Sequence, residues 1–297
     1  MTASVATDEL LPWLDGPAGD LSGWSRGGQG GKTIHFLHGN GFCARTLWPL
    51  ARRLPGDVDI MLTDLPGHGG SVQTAHRMPD WAAMAERVGD AIESHRGGQP
   101  VIGIGHSMGG VITLLLAASR PHLFERIILL DPILFSPEVV LYQRLARKSG
   151  LWRRSRLVKA VSARRRVWPD ENSLKEDLKN KTLYRRWSDE ALDNFVLGGT
   201  KTVPEGVALC CNPQWEAAIF GSYPRGLWKA VHRLQVRADI LVASDSYPFI
   251  ARSARKAAAR NPCIRWQSVE GSHCFPMEQT DKTADVLAQM LISETGH

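Results

Sequence analysis

The chain is poor in the features that mark a secreted disulfide scaffold, a zinc protein or a membrane span. Five cysteines, Cys43, Cys210, Cys211, Cys263 and Cys274, are scattered over 297 residues. Their odd number, with no C-x-x-C pair and no zinc-like histidine spacing, favours reduced thiols over a disulfide framework and implies no metal site. No stretch approaches the roughly 18 uninterrupted apolar residues that cross a bilayer, so no integral membrane association is expected. The stretch Met1 to Glu9 lacks the basic and apolar regions of a secretory signal, which points to a cytoplasmic protein.

Acid is scarce in one place. Glu138 is the only carboxylate between residues 136 and 166, an interval that holds ten Lys and Arg residues from Arg144 to Arg166, an excess greater than the net charge of +6 of the whole chain. Two readings follow: a solvated helix face, or a surface that attracts anionic substrates, acyl carriers or membrane headgroups. No nucleic-acid-binding motif accompanies the charge, so nucleic acid is not an expected partner.

What is present is an alternation. Short β-like runs at Thr33–Leu37, Asp59–Thr63, Val101–Ile104, Arg126–Leu130, Ile240–Ala243 and Ile264–Val269 alternate with helical patterns at Ala44–Leu54, Asp80–Ser94, Met108–Ser119, Tyr247–Arg260 and Asp281–Ser293. This pattern predicts an α/β fold, a mostly parallel central sheet with helices on both faces, and places its functional site at the carboxyl ends of the strands. From about Ser136 to Leu234 the rhythm breaks into an Arg- and Trp-rich interval with helical segments at Val139–Lys148, Ser173–Asn180 and Ser188–Val196, punctuated by Gly198-Gly199 and Pro204-Glu205-Gly206. A structureless loop of roughly a hundred residues would be unusual, so the expectation is a core of residues 1–135 and 235–297 with a helical cap inserted at 136–234.

The chemistry concentrates at Gly105-His106-Ser107-Met108-Gly109-Gly110, between the apolar run Val101–Ile104 and the helical run that starts at Met108. A G-x-S-x-G turn from strand to helix lifts its serine out of the sheet, and a Cβ at either flanking glycine would clash with neighbouring backbone. Ser107 is therefore the candidate nucleophile. A serine hydroxyl near neutral pH needs a histidine base held by a carboxylate. His273, in the loop Glu270-Gly271-Ser272-His273, follows the last strand candidate and supplies the base. Asp131 and Asp245 each end a strand between Ser107 and His273, and either preserves the order Ser, acid, His. Oxyanion donors are expected from the backbone of Met108, the residue after the nucleophile, and of Asn40, with Gly41 as the alternative. Phe42, Trp187 and Trp215 are candidate walls of an apolar acyl pocket, although most cap aromatics should be core.

Four separated motifs, His38-Gly39-Asn40-Gly41, Asp64-Leu65-Pro66-Gly67-His68-Gly69 with Ser71, the Ser107 turn and Gly271-Ser272-His273, give the chain a resemblance to the α/β-hydrolase fold superfamily over nearly its whole length. The run Ser272 to Glu278 looks like the end of small cap-bearing carboxylesterases. Members with an acid after the penultimate strand usually read G-x-x-D there, and aligning Ser244 with that glycine puts Tyr247 at the acid position. The resemblance therefore favours Asp131, which matches the alternative acid position of some haloalkane dehalogenases and lipases. It implies an α/β-hydrolase fold and an esterase with a Ser-His-Asp triad and a small-molecule ester substrate, an acyl chain or an anionic group being candidate substrate features; no cofactor is implied. A carbon–carbon bond hydrolase of β-diketone-like substrates and a non-catalytic ligand-binding homologue are the competing expectations.

Overall fold

The computed structural model describes residues 10–16, 20–28, 31–54, 58–73 and 79–292. The Met1–Glu9 stretch and the expected helix end at Ser293 lie outside these. The described strands are β1 (Leu11–Asp15), β2 (Leu21–Arg26), β3 (Thr33–Leu37), β4 (Asp59–Thr63), β5 (Val101–His106), β6 (Phe124–Leu130), β7 (Val167–Trp168), β8 (Thr200–Val203), β9 (Gly206–Leu209), β10 (Arg237–Asp245) and β11 (Ile264–Ser272). Eight of them form one sheet in the order β1-β2-β4-β3-β5-β6-β10-β11. Strand β2 runs antiparallel to both neighbours, and every other pairing is parallel.

The apolar runs form strands because both faces of the sheet are covered, and their residues feed two cores by strict alternation. Ile34 and Phe36, Ile102 and Ile104, Ile128 and Leu130, Leu241 and Ala243 point to one side. Leu37, Val101, Ile127 and Leu129, Ile240 and Val242 point to the other. Helices Trp81–Arg96, Met108–Ser119, Leu227–Arg233 and Pro248–Ala258 close the second side; the Ala44–Ala51 segment and helix Thr280–Ile292 close the first. The Trp81 helix starts where Asp80 accepts from the Ala82 and Ala83 N–H groups, and ends at Gly97 in the left-handed conformation.

Two features differ from the sequence expectations. Strands β1 and β2 were not anticipated, since their short, mixed runs lack an apolar stretch; they form because Gly23 lets Trp13 lie over the β2 backbone, where a Cβ would sit 2.2 Å from the indole. The Ala44–Leu54 helix is a 3₁₀ turn (Ala44–Leu47) followed by a single α-turn (Trp48–Ala51), with Pro49 in its first turn.

The interval between β6 and β10 holds helices Pro137–Lys148, Arg156–Ser162, Glu171–Lys179, Asp189–Gly199 and Pro213–Phe220. It also contains a small antiparallel sheet, β7-β9-β8, where sequence pattern suggested mainly helix. Pro204-Glu205-Gly206 is the β8–β9 hairpin turn, and Gly206 passes so near the Trp168 carbonyl that a Cβ would lie 2.2 Å from it. Leu192, Phe195 and Val196 of this interval join the sheet core on the Ile34 side, while Leu227, Ala230 and Val231 near its end join the core on the other.

Candidate active site

Ser107 follows β5 directly, in a positive-φ conformation (φ 55, ψ −116) that non-glycine residues avoid. The sheet imposes it: the Ser107 N–H donates to the Leu130 carbonyl at 3.0 Å, and its own carbonyl accepts from Ile133 at 3.3 Å. The turn fits only because glycines flank it. A Cβ on Gly105 would lie 2.6 Å from the Gly109 carbonyl oxygen, and one on Gly109 would lie 2.2 Å from that of Leu37.

Asp131 follows β6, again at positive φ (44), and its N–H bonds the Leu241 carbonyl at 2.8 Å. His273 follows β11. The three side chains meet above the carboxyl ends of the parallel strands β5, β6 and β11, with His273 Nε2 2.9 Å from Ser107 Oγ and His273 Nδ1 2.6 Å from Asp131 Oδ2. Asp131 is fully buried and further held by the Ala243 N–H, which donates to Oδ1 at 2.9 Å, and by the Ser246 hydroxyl, which donates to Oδ2. Asp245 is not brought to the histidine. Its side chain is 78% exposed and pairs with Arg186 at 3.2 Å, because the end of β10 turns it outward. Ser107 itself is 8% exposed.

The turn after β3 abuts Ser107: a Cβ on Gly39 would sit 3.2 Å from Ser107 Cβ. Within that turn the Gly41 N–H is already engaged, donating to His68 Nε2 at 3.0 Å, so the alternative oxyanion donor points away from the serine. The Asn40 side chain is tied down by its amide, which donates to the Glu216 carbonyl at 3.1 Å. Phe42 is buried with its ring parallel to His106 (centroids 6.1 Å) and edge-on to Trp187 (5.0 Å), Tyr184 (6.2 Å) and Phe195 (6.3 Å). Trp187 therefore belongs to one aromatic cluster with Phe42. Trp215 does not: its indole N–H donates to the Pro66 carbonyl at 2.9 Å, and its ring covers Gly67. A cavity of about 1000 Å³, lined by Trp24, Gly70, Arg166, Leu197, Lys201 and Cys210 among others, does not include Ser107, Asp131 or His273.

Several supporting residues carry no sequence motif of their own. His106 donates from Nε2 to the His273 carbonyl at 2.8 Å, fastening the histidine loop to the end of β5. Glu278 accepts from the Ser272 hydroxyl at 2.5 Å and closes that loop from the other side. Tyr247, at the position where many relatives of this fold would have the acid, lays its ring against His273 at 5.4 Å. The signals in sequence were positional: His106 beside the serine, Tyr247 at the usual acid position and Glu278 at the end of the run from Ser272. Asp64 accepts from the N–H groups of Ala44 at 2.6 Å and Gly70 at 3.1 Å, which makes it a tie between loops.

Burial sets the charge state of the groups beneath the site. It pushes His35 and His106 down to about 3 and His68 to about 4, and holds His38 well below the ordinary 6.5; it raises Asp64 from 3.8 to about 6. The thiols of Cys43 and Cys274 are pushed up to about 12, mainly by burial, so neither is a nucleophile near neutral pH. Stability should follow the imidazoles. Each has a folded pKa below its unfolded value, so its contribution is present above pH 6.5 and lost as pH falls toward the folded value. Asp64 acts oppositely, favouring the fold as pH drops through 6, but it is one group against four. Urea midpoints at about pH 7 and about pH 5 check this: the expected midpoint is lower at the acidic pH, and an equal or higher one would contradict it.

Behind the turn that follows β3, Arg164 Nη1 donates to both oxygens of Glu216 at 3.0 and 2.7 Å, and Glu216 Oε1 lies 2.6 Å from where a Gly41 Cβ would be. Removing one member leaves a largely buried charge unpaired. Glu216→Ala is expected to cost about 2–4 kcal/mol, and Arg164→Met combined with Glu216→Leu to recover most of it. Thermal unfolding of both variants distinguishes this from simple loss of packing, which the double variant would worsen.

Residues 36–286 match the model of the Alpha/beta hydrolase family. The chain belongs to that family. Among the relatives of this α/β hydrolase, a serine hydrolase-like protein of Danio rerio is 34% identical over 140 residues, 44% of this chain and 38% of that protein. Human monoglyceride lipase is 34% identical over 120 residues, 39% of this chain and 40% of the lipase. Lipase LipV of Mycobacterium tuberculosis is 34% identical over 113 residues, 38% of this chain and 42% of the lipase. The chain thus matches less than half the length of these curated relatives. Solved structures agree on the fold: E-2-(acetamidomethylene)succinate hydrolase superposes with a TM-score of 0.73 at 18% identity, covering 95% of this chain and 99% of that one. An esterase of Mycobacterium tuberculosis gives 0.73 at 20% identity over 95% of this chain and 91% of its own. No helix among the described residues is long and apolar enough to cross a membrane.

Proposed function

We propose that this α/β hydrolase cleaves carboxylic esters by nucleophilic catalysis at Ser107. The observation that carries the reading is the unbroken line of hydrogen bonds from Ser107 Oγ through His273 to Asp131, at 2.9 and 2.6 Å. Ser107 Oγ attacks the ester carbonyl while His273 Nε2 takes its proton; Asp131 keeps the Nδ1 proton in place and stabilises the imidazolium. The carbonyl oxygen becomes an oxyanion, received by the backbone N–H groups of Met108 and Asn40. His273 then returns the proton to the departing alcohol, and water, deprotonated by the same imidazole, releases the acid from the acyl-enzyme. The aromatic cluster of Phe42 and Trp187 supports an apolar wall for the acyl group, and residues 136–234 act as the cap over the core formed by 1–135 and 235–297. The relatives named lipase and monoglyceride lipase support ester chemistry in this family.

Hydrolysis of p-nitrophenyl esters of graded acyl length, with Ser107→Ala as the blank, tests the reading. Turnover that depends on Ser107 and peaks at one chain length is expected. No turnover above the blank at any length would overturn it and return the carbon–carbon hydrolase and ligand-binding alternatives.

A further inference from the structure

We propose that the outer face of residues 137–159 docks this protein on an anionic lipid bilayer. Helix Pro137–Lys148 buries only Ala146. Its Leu141, Tyr142 and Leu145 are 55%, 69% and 57% exposed, and at spacings of three and four residues they share one face. Leu151, in the 3₁₀ turn that follows, and Leu157, in helix Arg156–Ser162, are about half exposed as well. Five large apolar side chains exposed within one segment of 17 residues, three of them on a single helix face, mark an interaction surface.

Cations interleave with them. Arg144, Lys148, Arg153, Arg154, Arg156 and Lys159 pair with no acid among the described residues, and Glu138, the one carboxylate nearby, is engaged by Lys256 at 3.4 Å. This combination selects the occupant. An acidic protein surface would satisfy the cations but has no use for leucines in the same plane. A bilayer with anionic headgroups offers charge at the surface and an acyl boundary just beneath, the layering of interfacial amphipathic segments.

The face is also continuous with the site. Rings run from His273 to Tyr247 (5.4 Å), to Phe249 (5.9 Å) and to Phe135 (5.6 Å), two residues before the helix begins. An apolar molecule leaving a membrane would meet this strip between the docked face and the proposed catalytic histidine.

Sedimentation of the full chain with vesicles tests the proposal, using phosphatidylcholine alone and phosphatidylcholine mixed with phosphatidylserine. Binding to the anionic vesicles is expected to be at least about tenfold tighter than to the neutral ones and to weaken in high salt. Leu141→Ser with Leu145→Ser, and separately Arg153→Glu with Arg154→Glu, should each weaken it by about tenfold or more, with an unchanged thermal midpoint as the folding control. The readout does not depend on ester hydrolysis, so failure of the catalytic reading would leave it interpretable. A wild-type chain that stays in the supernatant with both vesicle types would overturn the proposal, as would variants that bind like the wild type. Capture by an immobilised acidic acyl-carrier protein without vesicle binding would assign the face to a protein partner and overturn it too.

Discussion

Asp131→Asn should lower kcat/KM for an ester by about four orders of magnitude, the scale seen when a triad carboxylate becomes an amide. The reason lies in the donors around it. Ala243 N–H and the Ser246 hydroxyl already donate to the carboxylate, so an amide oriented to satisfy them presents its own NH₂ toward His273 Nδ1 or leaves one of them unpaired. The imidazole then loses the partner that fixes its Nδ1 proton. Asp245→Asn is the control: an exposed residue paired with Arg186 should change activity by no more than about twofold. Steady-state kinetics of the two variants decide between the two acids. A large loss in the Asp245 variant, with little in the Asp131 variant, would reassign the triad.

Ser107→Ala should be more damaging still, on the order of 10⁴- to 10⁶-fold in kcat, since no neighbouring group can replace the hydroxyl. Cys274, beside the base, is held as a thiol by burial, and Cys43 likewise. The fold should be indifferent to the change. The positive φ at Ser107 costs alanine no less and little more than serine, so the thermal midpoint is expected to stay within a few degrees of the wild type. Residual hydrolysis near the wild-type rate would mean that another residue is the nucleophile.

The central sheet was legible because parallel strands covered on both faces must be apolar throughout, and β3 to β6 and β10 carry such runs; the edge strand β11 is polar and largely exposed, and showed only as a β-like run between helical patterns. Strands β1 and β2 were not legible: β1 is an edge strand, where polar residues are tolerated, and β2, although paired with β1 and β4, mixes Ser22, Ser25 and Arg26 into its run. The small sheet within the insertion was missed for a related reason: β7 spans only Val167–Trp168, too short for a period to register, and only the Pro204-Glu205-Gly206 turn hinted at a hairpin. At the site, Ser107, His273 and their order along the chain stood out because a strained turn demands glycines and a loop histidine needs reach. Chain order alone left Asp131 and Asp245 open and the motif resemblance favoured Asp131; which way each strand end turns its side chain is what brings Asp131 to His273 and Asp245 to Arg186. A one-dimensional pattern does not carry the engagement of the Gly41 N–H by His68, or the withdrawal of Trp215 onto the Pro66 loop, since both are long-range contacts between residues with no fixed spacing.

The most direct measurement is the site of reaction with a fluorophosphonate ester, a reagent that captures an activated serine. After incubation and digestion, mass spectrometry should find the phosphonyl group on Ser107 alone, with labelling abolished by His273→Ala and strongly slowed by Asp131→Asn. A chain that remains unlabelled, or one modified elsewhere at the same rate in the His273 variant, would contradict the account.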